Sequence, residues 1–128
     1  MRRLYCAALA LLPFMAMAQG NSLPTRPSWG AIASSYPAYG YAFEHSTREA
    51  AEHEALNQCR RNARKPAGCE LRTTFDRACG AYAQGNFGEW GAAVGPSAND
   101  AAQAAAKQCD NHLPTEPCKV VVRACSPR

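Results

Sequence analysis

The chain has 128 residues, with 14 Lys and Arg against 10 Asp and Glu and a formal charge of +4. This is one domain's worth of residues, and so small a charge excess gives no general affinity for nucleic acid or for an anionic membrane. Seven cysteines in so short a chain are the unusual feature of the composition.

Met1-Arg2-Arg3, the apolar run from Leu4 to Met15 and Ala16-Met17-Ala18 read as the charged, apolar and cleavage regions of a signal peptide over residues 1–18. The expected mature chain starts at Gln19 and is exported, to the periplasm or the cell exterior. Without Arg2 and Arg3 its formal charge falls to +2. No later stretch approaches the roughly 18 apolar residues of a membrane helix, so no transmembrane segment is expected after cleavage. Cys6 leaves with the leader, and the six remaining cysteines have the even count of a disulfide framework built in an oxidising compartment.

Residues 19–28 contain Pro24 and Pro27 and no periodicity, and are expected to be a flexible lead-in. Trp29 to Ser34 then alternates weakly up to a turn at Ser35-Tyr36-Pro37, after which Tyr39, Tyr41 and Phe43 share one strand face and Gly40, Ala42 and Glu44 the other. This is a hairpin whose small-residue face accepts a closely packed helix.

Ser46-Thr47-Arg48-Glu49 has the form of a capping box with Ser46 as the cap. The helix it opens carries Ala51, Ala55 and Cys59 in one stripe and ends near Asn62. Arg60, Arg61, Arg64 and Lys65 gather at its C-terminus, where the helix dipole favours cations. Beyond Pro66-Ala67-Gly68, the β-branched and aromatic run from Cys69 to Phe75 predicts a strand.

The same succession then starts again. Cys79-Gly80-Ala81-Tyr82-Ala83 echoes Trp29-Gly30-Ala31-Ile32-Ala33, and Trp90-Gly91 echoes Tyr39-Gly40. Ser97 caps a second helix with Ala101, Ala105 and Cys109 in the stripe. Gln108-Cys109 matches Gln58-Cys59, Cys118 matches Cys69, and Arg-Ala-Cys closes each copy at Cys79 and at Cys125. So many landmarks in one order mark an internal duplication. Residues 29–128 are therefore predicted to form a single duplicated α+β domain, two pseudo-symmetric strand-strand-helix-strand units (about 29–79 and 79–125) stabilised by disulfides.

The duplication also narrows the fifteen pairings open to six cysteines. A bond between Cys118 and Cys125 along one strand would have to span far more than the ~7 Å a disulfide allows. Among the symmetric pairings that remain, the expected set is Cys59 with Cys69 and Cys109 with Cys118, each tying a helix end to the next strand, with Cys79 and Cys125 joining the two copies.

With the cysteines committed to structure, no nucleophilic thiol is expected. The Cys59 to Cys69 and Cys109 to Cys118 spacings lack a C-x-x-C knuckle, so neither a metal nor a cofactor is expected. His45, His53 and His112 have no HExxH order, and no serine stands in a G-x-S-x-G context. Aromatic side chains concentrate in the hairpins instead. Aromatics on one strand face usually belong to a core, but if the helices cover the small-residue faces, some of these rings lie on an open sheet surface, where Tyr39, Tyr41 and Trp90 are the candidate contact anchors.

Taken together from Trp29 to Cys125, these motifs resemble the secreted bacterial family named domain of unknown function 4189. The resemblance implies an exported, cysteine-bonded domain of two copies with no established enzymatic activity, and it carries over no catalytic residue. Within it, Thr73-Thr74-Phe75 lengthens the first Cys-to-Cys strand and Ala106 stands where the first helix has Leu56. Two functions follow as expectations. One is a non-enzymatic exported binding module that engages a protein or other envelope macromolecule, as an immunity-type inhibitor or an effector. The other is a small periplasmic hydrolase using His45, His53 or His112 with a carboxylate.

Overall fold

The computed structural model describes Gly20 and residues 26–127. The expected signal peptide and the greater part of the lead-in lie outside the described residues. The remainder forms β1 (Trp29–Ser35), β2 (Ala38–His45), α1 (Arg48–Asn62), a single 3-10 turn at Pro66–Gly68, β3 (Glu70–Asp76), β4 (Cys79–Gln84), β5 (Trp90–Gly95), α2 (Ala98–Asp110) and β6 (Lys119–Cys125). The strands make two three-stranded antiparallel sheets, ordered β2-β1-β3 and β5-β4-β6. Each predicted unit is thus one sheet with one helix.

Four layers result, in the order helix, sheet, sheet, helix. Ala31, Ala33 and Ala42 meet Ala51, Ala55 and Cys59 of α1 in one core. Ala81, Ala83 and Ala93 meet Ala101, Ala105 and Cys109 of α2 in a second. A third core lies between the sheets, built from Ile32, Phe75, Tyr82, Val122 and Ala124. The central strands β1 and β4 are buried on both faces, with small residues towards the helices and larger ones towards the opposite sheet. β1 stacks over β4, β2 over β6 and β3 over β5, as a pseudo-twofold requires.

The repeated glycines are explained by close approach. A side chain on Gly40 would run into the backbone of Ala55 and Cys59, and one on Gly91 into Ala105 and Cys109, so these two positions set how near each helix lies to its sheet. The repeated Gln-Cys pair works beside them. Gln58 Oε1 accepts from the Tyr41 N–H at 3.2 Å, and Gln108 Oε1 from the Ala92 N–H at 3.3 Å. Each glutamine thereby covers a backbone donor on an edge strand, while the neighbouring cysteine bonds to the strand that follows.

The three expected disulfides are present: Cys59–Cys69, Cys109–Cys118 and Cys79–Cys125. The third has a different role from the one expected. Cys79 and Cys125 sit directly opposite each other on β4 and β6, so this bond lies inside the second unit and does not join the copies. The registers also correct the Arg-Ala-Cys echo. Cys79 pairs with Cys125 as Trp29 pairs with Asp76, which makes Cys125 the counterpart of Asp76. Nor is β3 lengthened, since β3 and β6 have seven residues each. The additional residues of the first copy instead form the turn into β4, where Arg77 takes a left-handed φ of 49°.

The helix caps are hydroxyls in both copies. Ser97 Oγ accepts from the Asp100 N–H at 3.1 Å as expected, but in α1 the cap is Thr47 rather than Ser46, accepting from the Ala50 N–H at 3.1 Å. Thr47 is the residue with extended backbone immediately before the first helical turn, the same position that Ser97 holds before α2.

Candidate functional site

The aromatic faces of the two sheets are turned towards each other, so of the three candidate anchors Tyr39 and Trp90 contribute to the inter-sheet core. Tyr39 is half-buried and packs on Tyr82 with ring centroids 6.3 Å apart. Trp90, its counterpart in the second unit, packs on Tyr82 from β5 at 6.4 Å. Tyr41 is different. It is 38% exposed, and Phe43, two residues on, is 44% exposed. Their rings lie within 8° of parallel at a centroid separation of 6.3 Å.

The three candidate anchors therefore do not converge. Tyr39 and Tyr41 belong to the side of the stack where β2 lies over β6, and Trp90 to the opposite side, where β5 lies over β3. On the β2 side, Tyr41 and Phe43 form one wall of a groove of about 480 Å³ whose other wall is the Val121–Cys125 stretch of β6. A β-bulge at the end of β2 shapes this wall: Ala42 pairs with Ala31 but His45 with Trp29, leaving Phe43 and Glu44 opposite the single residue Gly30. Glu44 takes a left-handed φ of 62° there, and its N–H donates to the Oγ of buried Ser126 at 3.1 Å, which ties the end of β2 to the end of β6. The second unit pairs Gly80 with Val94 without a bulge. Phe43 and the β6 wall were missed as a site by sequence reasoning, because neither the bulge nor the stacking of β2 over β6 leaves a mark in the periodicity.

On the other side, Arg72 is the principal polar group. β3 is bulged at this residue, just as β6 is bulged at Val121, and the Arg72 side chain is only 16% exposed. Its Nε donates to Ser34 Oγ at 2.8 Å and its Nη1 to Glu70 Oε2 at 3.1 Å, while the guanidinium lies 4.3 Å from the centre of the Trp90 ring. Burial pushes the Tyr82 hydroxyl, which donates to Gln84 Oε1 at 3.3 Å, above the ordinary tyrosine range, against the opposing influence of the nearby Ser34 hydroxyl and the Arg72 charge. The arrangement closes the rim of the inter-sheet core with satisfied polar groups.

The histidines are dispersed. His45 ends β2, His53 lies exposed on α1 within 3.3 Å of Asn57, and exposed His112 follows α2 beside Phe87 and Trp90. The six cysteines among the described residues are all in disulfides, and no group of three His, Cys, Asp or Glu side chains with metal-binding proximity occurs among those residues. No described helix is long and apolar enough to cross a membrane.

None of the curated proteins matches this chain. Among solved structures, the NMR structure of Rv1813c from Mycobacterium tuberculosis is similar, with a TM-score of 0.53 and 23% identity over 98% of this chain and 99% of that one. That similarity extends to the fold. The family described as domain of unknown function (DUF4189) matches residues 29–125, from the first residue of β1 to the last of β6, and the chain belongs to this family.

Proposed function

We propose that the protein is a non-enzymatic binding module, exported to the periplasm or the cell exterior, that engages another exported or envelope protein. The observation that carries this reading is the exposed, parallel pair Tyr41 and Phe43 beside the β6 groove. Two large rings held on a strand outside all three cores supply contact area at little cost in side-chain entropy, which is what an interface anchor requires. Tyr39, one repeat of the β2 pleat away, and Trp90, at the opposite edge of the stack, belong to the core and not to this surface, because their rings are committed to Tyr82. Three disulfides in a chain this short fit an oxidising compartment. An inhibitor of the immunity type and an effector use a surface of this kind in the same way, by occluding or recruiting a partner.

The test is affinity capture from the envelope and secreted fractions of the producing bacterium, with the oxidised protein as bait and a Tyr41→Ala/Phe43→Ala bait in parallel. A partner retained by the first bait and lost from the second supports the proposal. A partner retained equally by both removes the aromatic pair from the interface.

A further inference from the structure

The edges of the two sheets are not equally covered. The Tyr41 N–H reaches outward to Gln58, so the pair Ile32–Tyr41 is of the kind that exchanges no ladder hydrogen bonds. Gln108 and Ala92 repeat this in the second unit, which makes Tyr82–Ala92 the equivalent pair on β5. A strand's backbone groups point alternately to its two neighbours, so Tyr82 turns its own towards Val122 of β6. Counting on along β6, Val122 and Ala124 face β4, whereas Arg123 and Cys125 direct their N–H and C=O groups away from the sheet. The directly opposed Cys79–Cys125 disulfide agrees with this phase, since pairs without ladder hydrogen bonds bring their side chains closer. No described hydrogen bond takes the outward groups of Arg123 or Cys125.

This uncovered edge borders the groove beneath Tyr41 and Phe43. The two faces of β6 differ there. Towards the other sheet stand the two exposed rings; towards α2 stands Arg123, exposed, held by Asn99 Oδ1 at 3.4 Å, and paired with no carboxylate among the described residues. At the symmetry-related edge, β3 faces β5, where Ala92 and Val94 take the places of Tyr41 and Phe43.

We infer that the free edge of β6 takes an extended peptide segment of a partner protein as an added strand, with apolar residues packing on Tyr41 and Phe43 and acidic residues alternating with them on the Arg123 side. Strand addition supplies affinity through the main chain and selectivity through alternate side chains. The inference rests on the binding-module reading and names the form of the partner.

The probe is a capped seven-residue peptide alternating valine and glutamate, with two further versions N-methylated at the valines or at the glutamates. A strand joined to β6 bonds through one alternate set of its amides, so one methylated version binds like the parent and the other does not. The Arg123 and Cys125 amides become protected from hydrogen exchange on addition of the parent peptide. Phe43→Ala and Arg123→Gln each weaken binding about tenfold, with melting temperatures near that of the parent protein, and Val94→Ala at the opposite edge has no effect. The inference is overturned if the parent peptide fails to bind at millimolar concentration or if both methylated versions bind alike. It is equally overturned if the protein alone self-associates with those two amides already protected, which would assign the edge to a second copy. These failures leave the capture experiment with Tyr41 and Phe43 intact, so the two readings fall separately.

Discussion

The ring of Phe75 occupies the space that a side chain on Gly80 would need, and it fills the corresponding space beside Gly30 as well. One residue from β3 thus accounts for the glycine that follows Trp29 and for the glycine that follows Cys79. Both central strands are held bare at the point where the sheets meet.

Gly80→Ala should therefore destabilise the protein by about 1–3 kcal/mol through overpacking of a closed core. Phe75→Leu alone should also destabilise, by loss of buried ring area. The double variant should cost less than the sum of the two, because the smaller side chain makes room for the new methyl group. Denaturant melts of the four proteins measure this coupling, and strictly additive values would place the ring elsewhere.

Much of this architecture is legible in the sequence, for identifiable reasons. The alanine stripes ending in Cys59 and Cys109, the aromatic-glycine pairs and the capping hydroxyls are local signals, and they locate both helices and the face each one covers. The disulfide pairing follows from the duplication. What is not legible is how the two units meet. Alternation along β2 separates Tyr39, Tyr41 and Phe43 from Gly40 and Ala42, but an identical pattern serves an open face and a face covered by a second sheet. Tyr39 went to the covered part, against Tyr82 of the central strand β4, and Tyr41 to the open rim beside the edge strand β6. The Arg-Ala-Cys echo misled for a related reason: in the first copy Arg77 and Ala78 form a turn, in the second Arg123 and Ala124 lie within β6, and only pairing across strands separates the two cases.

The disulfides should differ in what their loss costs. Cys79–Cys125 closes a sequence separation of 46, against 10 for Cys59–Cys69 and 9 for Cys109–Cys118. A longer loop gives the unfolded chain more freedom when released. Paired replacement of Cys79 and Cys125 by alanine should therefore lower stability most, within a range of about 2–5 kcal/mol per bond. Thermal melts of the three double variants test the ranking, and full reduction should abolish the cooperative transition.

Tyr82 supplies a pH dependence with a definite sign. Its folded-state pKa is raised, chiefly by burial, so the folded protein holds this proton more tightly than the unfolded chain does. The contribution is complete below the unfolded tyrosine value, near 10, and is lost as pH rises through the higher folded value. Alkaline melts should show stability declining in that range, and Tyr82→Phe should make the decline shallower. Equal slopes for the two proteins would detach the effect from this hydroxyl.

The division of the aromatics into core rings and contacts is the centre of this account, and one paired measurement addresses it. Melting temperature and partner capture are recorded for Tyr39→Ala and for Tyr41→Ala/Phe43→Ala. Tyr39→Ala removes a ring packed on Tyr82 and should lower stability by about 3 kcal/mol or more. The Tyr41 and Phe43 double variant should melt close to the parent protein while losing about 2 kcal/mol or more of partner affinity. A double variant that unfolds, or one that still holds its partner with parental affinity, would contradict the account.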